Sequence, residues 1–481
     1  MTTKKKRKEF ITAFSIIFIL IYLLGALTYL LPQAEFAGDA IVNGSGVVRA
    51  TLPDVLLAPI LGFENAIDVC IFILILGGFL AIVNRSQALE TGIQVLVKKL
   101  KGNELALIPI LMFIFSIGGT TYGMLEETVG FYALLAAAMV MAGMDTIVSS
   151  AIVLLGAGSG VLGSTINPFA VGVALSALPG NLEVNQGVII SIGVILWLST
   201  LLISMAFVMN YAKKVIKKKG STILSLRERK AMEMEYGANV AKKEENIKLT
   251  KKQAITLVLF ALTFAIMIVG FIPWEDFGVT FFSKTTGWLT GSPLGAWYFY
   301  EASVWFLIMS VVIGLVNRTG EKQFVDTFID GADDMVGVIL IVAIARGASV
   351  LMQSTYLDNY IIYNAAELLK VVPAGLFAPL NYLLHVVLSI LVPSSSGLAT
   401  LSSPIIGPLA AQLGYSAEVS VMTMVAANGL VNLITPTCGA IMGGLALAKV
   451  EYATWVKWAG KVIVTIAIAN IAILTLLMVM L

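Results

Sequence analysis

Uninterrupted apolar runs close to the roughly 20 residues that a membrane-crossing helix needs recur along the whole chain, among them 11–31, 66–83, 188–210, 253–272, 300–316 and 335–351. Only helices and closed barrels satisfy every backbone polar group in lipid. The runs are continuous, without the apolar/polar alternation of a barrel strand, so the expected fold is an all-α polytopic membrane protein. Composition agrees: 12% of residues are charged, against roughly 25% in soluble domains. Cys70 and Cys438 both sit inside apolar runs, which suggests neither a disulfide framework nor a metal cluster.

Charge sets the expected topology. Lys4, Lys5, Lys6, Arg7 and Lys8 precede the first run, and the positive-inside rule puts them in the cytoplasm. The segment 211–252 carries thirteen Lys or Arg against five Glu and reads as a cytoplasmic topology anchor rather than a nucleic-acid surface. An amphipathic arm at 86–103 ends in Lys98, Lys99 and Lys101, whereas the arm at 354–370 has Lys370 alone, as expected if the second faces outward. The segment 52–65 with the crossing at 66–83 parallels KQFVDTFIDGADD with the crossing at 335–351, and GSTINP (163–168) matches VNLITP (431–436) at an offset of 268. Two inverted-topology repeats follow, the plan in which paired helix interruptions mark a transporter's binding site. The divisions are a basic tail (1–9), repeat 1 (10–210), the linker (211–252), a connecting helix and external loop (253–296) and repeat 2 (297–481).

Four interruptions are expected, near 118–123, 156–168, 393–397 and 428–437. Irregular backbone at membrane depth is tolerated only where it is buried in protein or lines a polar cavity. Half-helix N-termini there suit an anionic group, and Gly118, Gly119, Thr120, Thr121, Ser159, Asn167, Ser394, Ser395, Ser396, Asn428, Asn432, Thr435 and Thr437 supply small or hydroxyl- and amide-bearing positions. Within the same stretch Glu126 and Glu127 are adjacent carboxylates in an apolar context, which costs on the order of 3 kcal/mol on insertion scales and by default signals function; a cation is the natural partner. Arg346 could hold a carboxylate, but a structural pair with Asp358 or Glu301 is slightly favoured. His385, the only histidine, reads as a packed core residue ahead of a proton relay. Phosphate-loop, zinc-binding and nucleophile-elbow patterns are absent from the sequence, so neither enzymatic chemistry nor a cofactor is expected.

At GGTTYGMLEETVGFY, GAGSGVLGSTINPFAVGVA and LVPSSSGLATLSSPIIGPLA the chain resembles the bacterial basic amino acid antiporters of the ArcD and YfcC-like type, within the wider grouping of anaerobic four-carbon dicarboxylate carriers. The resemblance implies a plasma-membrane exchanger of arginine for ornithine, with re-entrant hairpins, scaffold and transport domains and elevator-type alternating access. The sodium-coupled dicarboxylate members carry Ser-Asn-Thr at the hairpin tips; here the tips read Gly-Gly-Thr-Thr and Ser-Ser-Ser-Gly. The expected partners are a cationic amino acid and the bilayer, with no nucleic acid, and a homodimer is compatible with this. The alternatives are a carrier of dicarboxylates or other small carboxylates and, in another class, a channel or sensing protein, which inverted repeats without a pore-lining ring disfavour.

Overall fold

The computed structural model describes residues 13–38, 40–89, 91–92, 95, 103–178, 182, 184–218, 221–237, 248–272 and 274–481. The basic N-terminal tail and the basic end of the first arm, Lys98 to Lys101, lie outside these residues. Helices dominate, and nine of the described helical stretches are long and apolar enough to cross a membrane.

In the first part of the chain α1 (Ala13–Leu27) leads through a short two-stranded ribbon (Phe36–Ala37 with Ala40–Ile41) to α2 (Leu52–Asn65) and α3 (Ile67–Arg85). Then come α4 (Leu107–Tyr122), a 3-10 turn (Glu126–Gly130), α5 (Phe131–Met141), α6 (Thr146–Gly163), a π-turn (Pro168–Gly172) running into α7 (Val173–Ser176), and α8 (Gln186–Lys217). The linker contains a polar helix, α9 (Leu226–Tyr236), started by a capping box between Ser225 and Glu228, which charge counting alone did not reveal. Glu228 also accepts from the backbone N–H of Glu451 at 2.8 Å, fixing the linker to the chain's final helix.

After α10 (Lys251–Phe271) and the short α11 (Phe281–Thr285) the element order of the first part recurs: α12 (Phe299–Asn317), α13 (Glu321–Asp333), α14 (Val336–Ser354), α15 (Leu357–Leu369), α16 (Ala374–Leu391), α17 (Ser395–Gln412), α18 (Ala417–Val431), α19 (Gly439–Leu447) and α20 (Tyr452–Met480). Packing is reciprocal: α2 lies on α14 while α13 lies on α3, and α1 meets α14 while α12 meets α3. These helices with α10 form one group. The second group is built on α6 and α18, which pack on each other and on α4, α8, α16, α17 and α20. Every residue of α6 from Thr146 to Gly163 is buried, so this helix is the core of its group, shielded from lipid by its neighbours.

Close approach explains its glycines. A Cβ on Gly119 would meet the Ala157 carbonyl, and one on Gly160 the Ser116 carbonyl; α4 and α6 touch backbone to backbone, a contact only small residues allow. The N-terminus of α6 is capped by Asp145, which accepts from Val148 N–H at 3.2 Å, Tyr211 Oη–H at 2.7 Å and Thr222 Oγ1–H at 2.5 Å. Burial pushes its carboxyl above the ordinary value, and these hydrogen bonds partly oppose that.

Candidate functional site

Four interruptions face one another. The first is at 123–125, where α4 ends in Gly123 with φ 81°, a left-handed conformation that favours glycine. The second is at 164–167: α6 runs unbroken through Gly156–Gly160 and ends at Gly163, so the break is narrower than the sequence suggested. The third is at 392–394 between α16 and α17, and the fourth at 432–438 between α18 and α19. Each pair is tied by side chains. Thr165 N–H donates to Thr120 Oγ1 at 3.1 Å, and Asn432 Nδ2 donates to the Pro393 carbonyl at 2.9 Å. Asn167 Oδ1 caps the π-turn through Phe169 N–H at 2.9 Å, and Ser394 Oγ caps α17 through Gly397 N–H at 3.3 Å.

These breaks enclose a cavity of about 360 Å³ between the two helix groups, within the range of small-molecule sites. From the α6/α18 group come Gly123, Glu126, Asn167, Ser394–Gly397, Asn432 and Thr437. From the other group come Asn65 and Asp68 at the α2–α3 junction, and one face of α14 carrying Arg346, Ser349 and Gln353, positions that helical periodicity places on successive turns. The charged side chains described at the cavity are therefore two acids, Asp68 and Glu126, and one base, Arg346. Glu126 lies within electrostatic range of both others. Among the described residues no carboxylate lies within 4.0 Å of the Arg346 guanidinium. Its charge is available to a ligand, whose carboxylate it suits geometrically.

A family model described as DcuC, C4-dicarboxylate anaerobic carrier, matches residues 10–479. The chain belongs to the C4-dicarboxylate anaerobic carrier family. It is a multi-span membrane transporter. Similar curated proteins include an uncharacterised protein of Haemophilus influenzae strain Rd, 29% identical over 85% of this chain and 74% of that protein, and YfcC of Escherichia coli strain K12, provisionally named a basic amino acid antiporter, 27% identical over 82% and 74%. Among solved structures, the YdaH transporter of Alcanivorax borkumensis aligns with a TM-score of 0.48 at 15% identity over 97% of this chain and 98% of its own. MtrF of Neisseria gonorrhoeae aligns with a TM-score of 0.47 at 16% identity over 98% and 96%.

In this carrier the structure divides the residues singled out from sequence. Glu126, Asn167, Ser394, Ser395, Ser396, Asn432 and Thr437 line the cavity. The side chain of Glu127 lies outside the described residues. Gly118, Gly119, Thr120 and Thr121 do not line it: they form the last turns of α4, where Thr121 bonds back to the Ile117 carbonyl at 2.7 Å and Thr120 faces Thr165 at 3.1 Å. Ser159 is buried in α6 and bonds back to the Leu155 carbonyl. Asn428 stands behind the cavity wall, accepting from Ser395 Oγ–H at 2.7 Å, and Thr435 bonds Thr437 at 2.7 Å.

Two charged cavity residues stand outside the site singled out from sequence: Arg346, weighed there but given a structural pairing, and Asp68, not considered. The favoured structural pairing of Arg346 is corrected: Glu301 accepts from Ser292 Oγ–H and Tyr298 N–H, both at 2.8 Å, and Asp358 accepts from Asn359 N–H at 2.7 Å. Asp68 was passed over because it falls near the start of an apolar run, where an acid looks like a loop end; its position inside the run at 66–83 was the available signal. His385 is fully buried, with Nδ1 2.8 Å from the Asn381 carbonyl and Nε2 2.6 Å from Ser402 Oγ, away from the cavity.

Proposed function

We propose that this carrier exchanges cationic amino acids, arginine against ornithine, across the bacterial plasma membrane. The observation that carries the reading is the charge count of the described cavity: two acids and one base. Arginine and ornithine bring the complement, two cations and one carboxylate. Transferring a charged ligand into a partly desolvated site is favourable only where each charge finds a partner, and here each does. A four-carbon dicarboxylate would have one guanidinium for two carboxylates and would face two acids, a repulsion of several kcal/mol at low effective dielectric.

The recurrent element order and reciprocal packing support two inverted repeats, with residues 10–210 related to 297–481 and α10 unmatched. On this reading the helices around α2, α3, α13 and α14 form the scaffold and the α6/α18 group moves against it with substrate between them. The N-terminus is placed in the cytoplasm on this reading, which the basic tail and linker support.

Counterflow in proteoliposomes tests the function. Labelled arginine outside is expected to accumulate against trapped unlabelled ornithine or arginine, and to stay at background against trapped malate or buffer. Arginine at background in every case, with labelled malate accumulating against trapped malate, would return the dicarboxylate reading.

A further inference from the structure

Two buried oxygens on opposite walls of the cavity have no hydrogen-bond partner among the described residues: Ser349 Oγ on α14, and Asn432 Oδ1 just beyond α18. Their residues are only 3% and 5% exposed. The amide of Asn432 is oriented by its surroundings. Its Nδ2 donates both to the Pro393 carbonyl at 2.9 Å and to Asn428 Oδ1 at 3.1 Å, two acceptors, so the unpaired atom is an acceptor that wants a donor. Ser349 lies one turn beyond Arg346 on the same face. A buried polar atom left unpaired is destabilising, and the residues that carry these two line the cavity, so a small side-chain rotation brings each oxygen to a ligand there. Neighbouring break residues are satisfied by protein: Asn167 by Phe169 and Ser164, Ser395 by Asn428, Thr437 by the Ile390 carbonyl.

We propose that Arg346, Ser349 and Asn432 together receive the main-chain group of an α-amino acid. Arg346 and the Ser349 hydroxyl, turned into the cavity about its Cα–Cβ bond, donate to the carboxylate, and Asn432 Oδ1 accepts from the α-ammonium. The inference rests on the cationic amino acid reading and narrows it. The substrate is an α-amino acid, not any dication, because a diamine lacks the group that Arg346 and Ser349 hold. Ser349 and Asn432 stand on different helix groups, so one head group bridges the interface across which the carrier must move.

Titration calorimetry of the purified full-length carrier in detergent tests this with three probes: L-arginine, agmatine, which lacks the carboxylate, and Nα-acetyl-L-arginine, which lacks the α-ammonium. Both analogues are expected to bind at least about ten-fold more weakly than arginine, the value of one hydrogen bond to a charged group. Ser349→Ala is expected to weaken arginine by about ten-fold, to leave agmatine unchanged, and to keep or raise the melting temperature, since it deletes an unpaired atom rather than a bond. Arginine binding to Ser349→Ala as to wild type, or equal losses for arginine and agmatine, would overturn the proposal while leaving the cationic amino acid reading intact. A wild-type carrier that binds no arginine would overturn both.

Discussion

Gly118–Thr121 and Ser394–Gly397 look alike in sequence, each a cluster of small and hydroxyl-bearing residues at the end of an apolar run, yet they do different work. The first is a packing seam. Its glycines let α4 lie against α6 with carbonyls where a Cβ would stand, and its threonine hydroxyls are spent on local backbone and on Thr165. The second is a cavity wall, with Ser394, Ser395 and Ser396 at the start of α17 and space in front of them. What separates them is the occupant of the adjacent volume. Backbone fills it in one case and a ligand-sized cavity in the other, and residue type reports neither.

The largest expected effect falls on the seam. Gly119→Leu or Gly160→Leu drives a side chain into a facing carbonyl, overpacking that costs about 3 kcal/mol or more, so the carrier is expected to express poorly and to melt markedly lower in detergent. A wild-type melting curve for both variants would show that α4 and α6 are not in backbone contact. The cavity wall should respond in the opposite way. Ser395→Leu is expected to remain folded and inserted while counterflow falls to background, because the added volume enters the space meant for substrate; Thr120→Leu, on the seam, is expected to lose folding together with transport. If the two variants behave alike, by melting temperature and counterflow measured side by side, the contrast between seam and wall fails.

Arg346→Gln is expected to lower arginine affinity by ten-fold to a hundred-fold or more, roughly the 1.5–3 kcal/mol of a charge-assisted bond, with little change in stability because no ion pair among the described residues is lost. A large drop in melting temperature would instead point to a structural pairing. The smallest effect belongs to the far end of the seam helix. Asp145 has a raised folded-state pKa, so the folded protein binds its proton more tightly than the unfolded chain does. That contribution to stability is present below the ordinary aspartate value and is lost as pH rises through the raised one. Asp145→Asn is expected to flatten the fall in melting temperature across that window. An unchanged pH profile would show that the carboxylate stays charged.

Helix placement was legible because lipid leaves the backbone few options: the segment 52–65 and the crossings at 66–83, 253–272 and 300–316 reappear within one or two residues as α2, α3, α10 and α12. The interruptions were legible only to within several residues. Glycines at 156–160 suggested a break that interhelical packing turns into a continuous buried helix, while the true break begins at Ser164, in the left-handed region with φ 32°. The acid Glu126 was legible because nothing about lipid explains it. Arg346 and Asp68 were harder to place, since whether a membrane charge faces a protein partner or a ligand depends on residues distant in sequence. Glu301 and Asp358 were plausible partners until their own hydrogen bonds placed them elsewhere.

The central claim is that two cavity acids and one base match a substrate with two cations and one carboxylate. Titration calorimetry of wild type, Glu126→Gln and Asp68→Asn with arginine and with citrulline, its neutral side-chain analogue, tests it most directly. Each substitution is expected to weaken arginine by about ten-fold to more than a hundred-fold, and at least one of them to leave citrulline unchanged or bound more tightly. Unchanged arginine affinity in both variants, or a wild-type carrier that binds malate more tightly than arginine, would contradict the account.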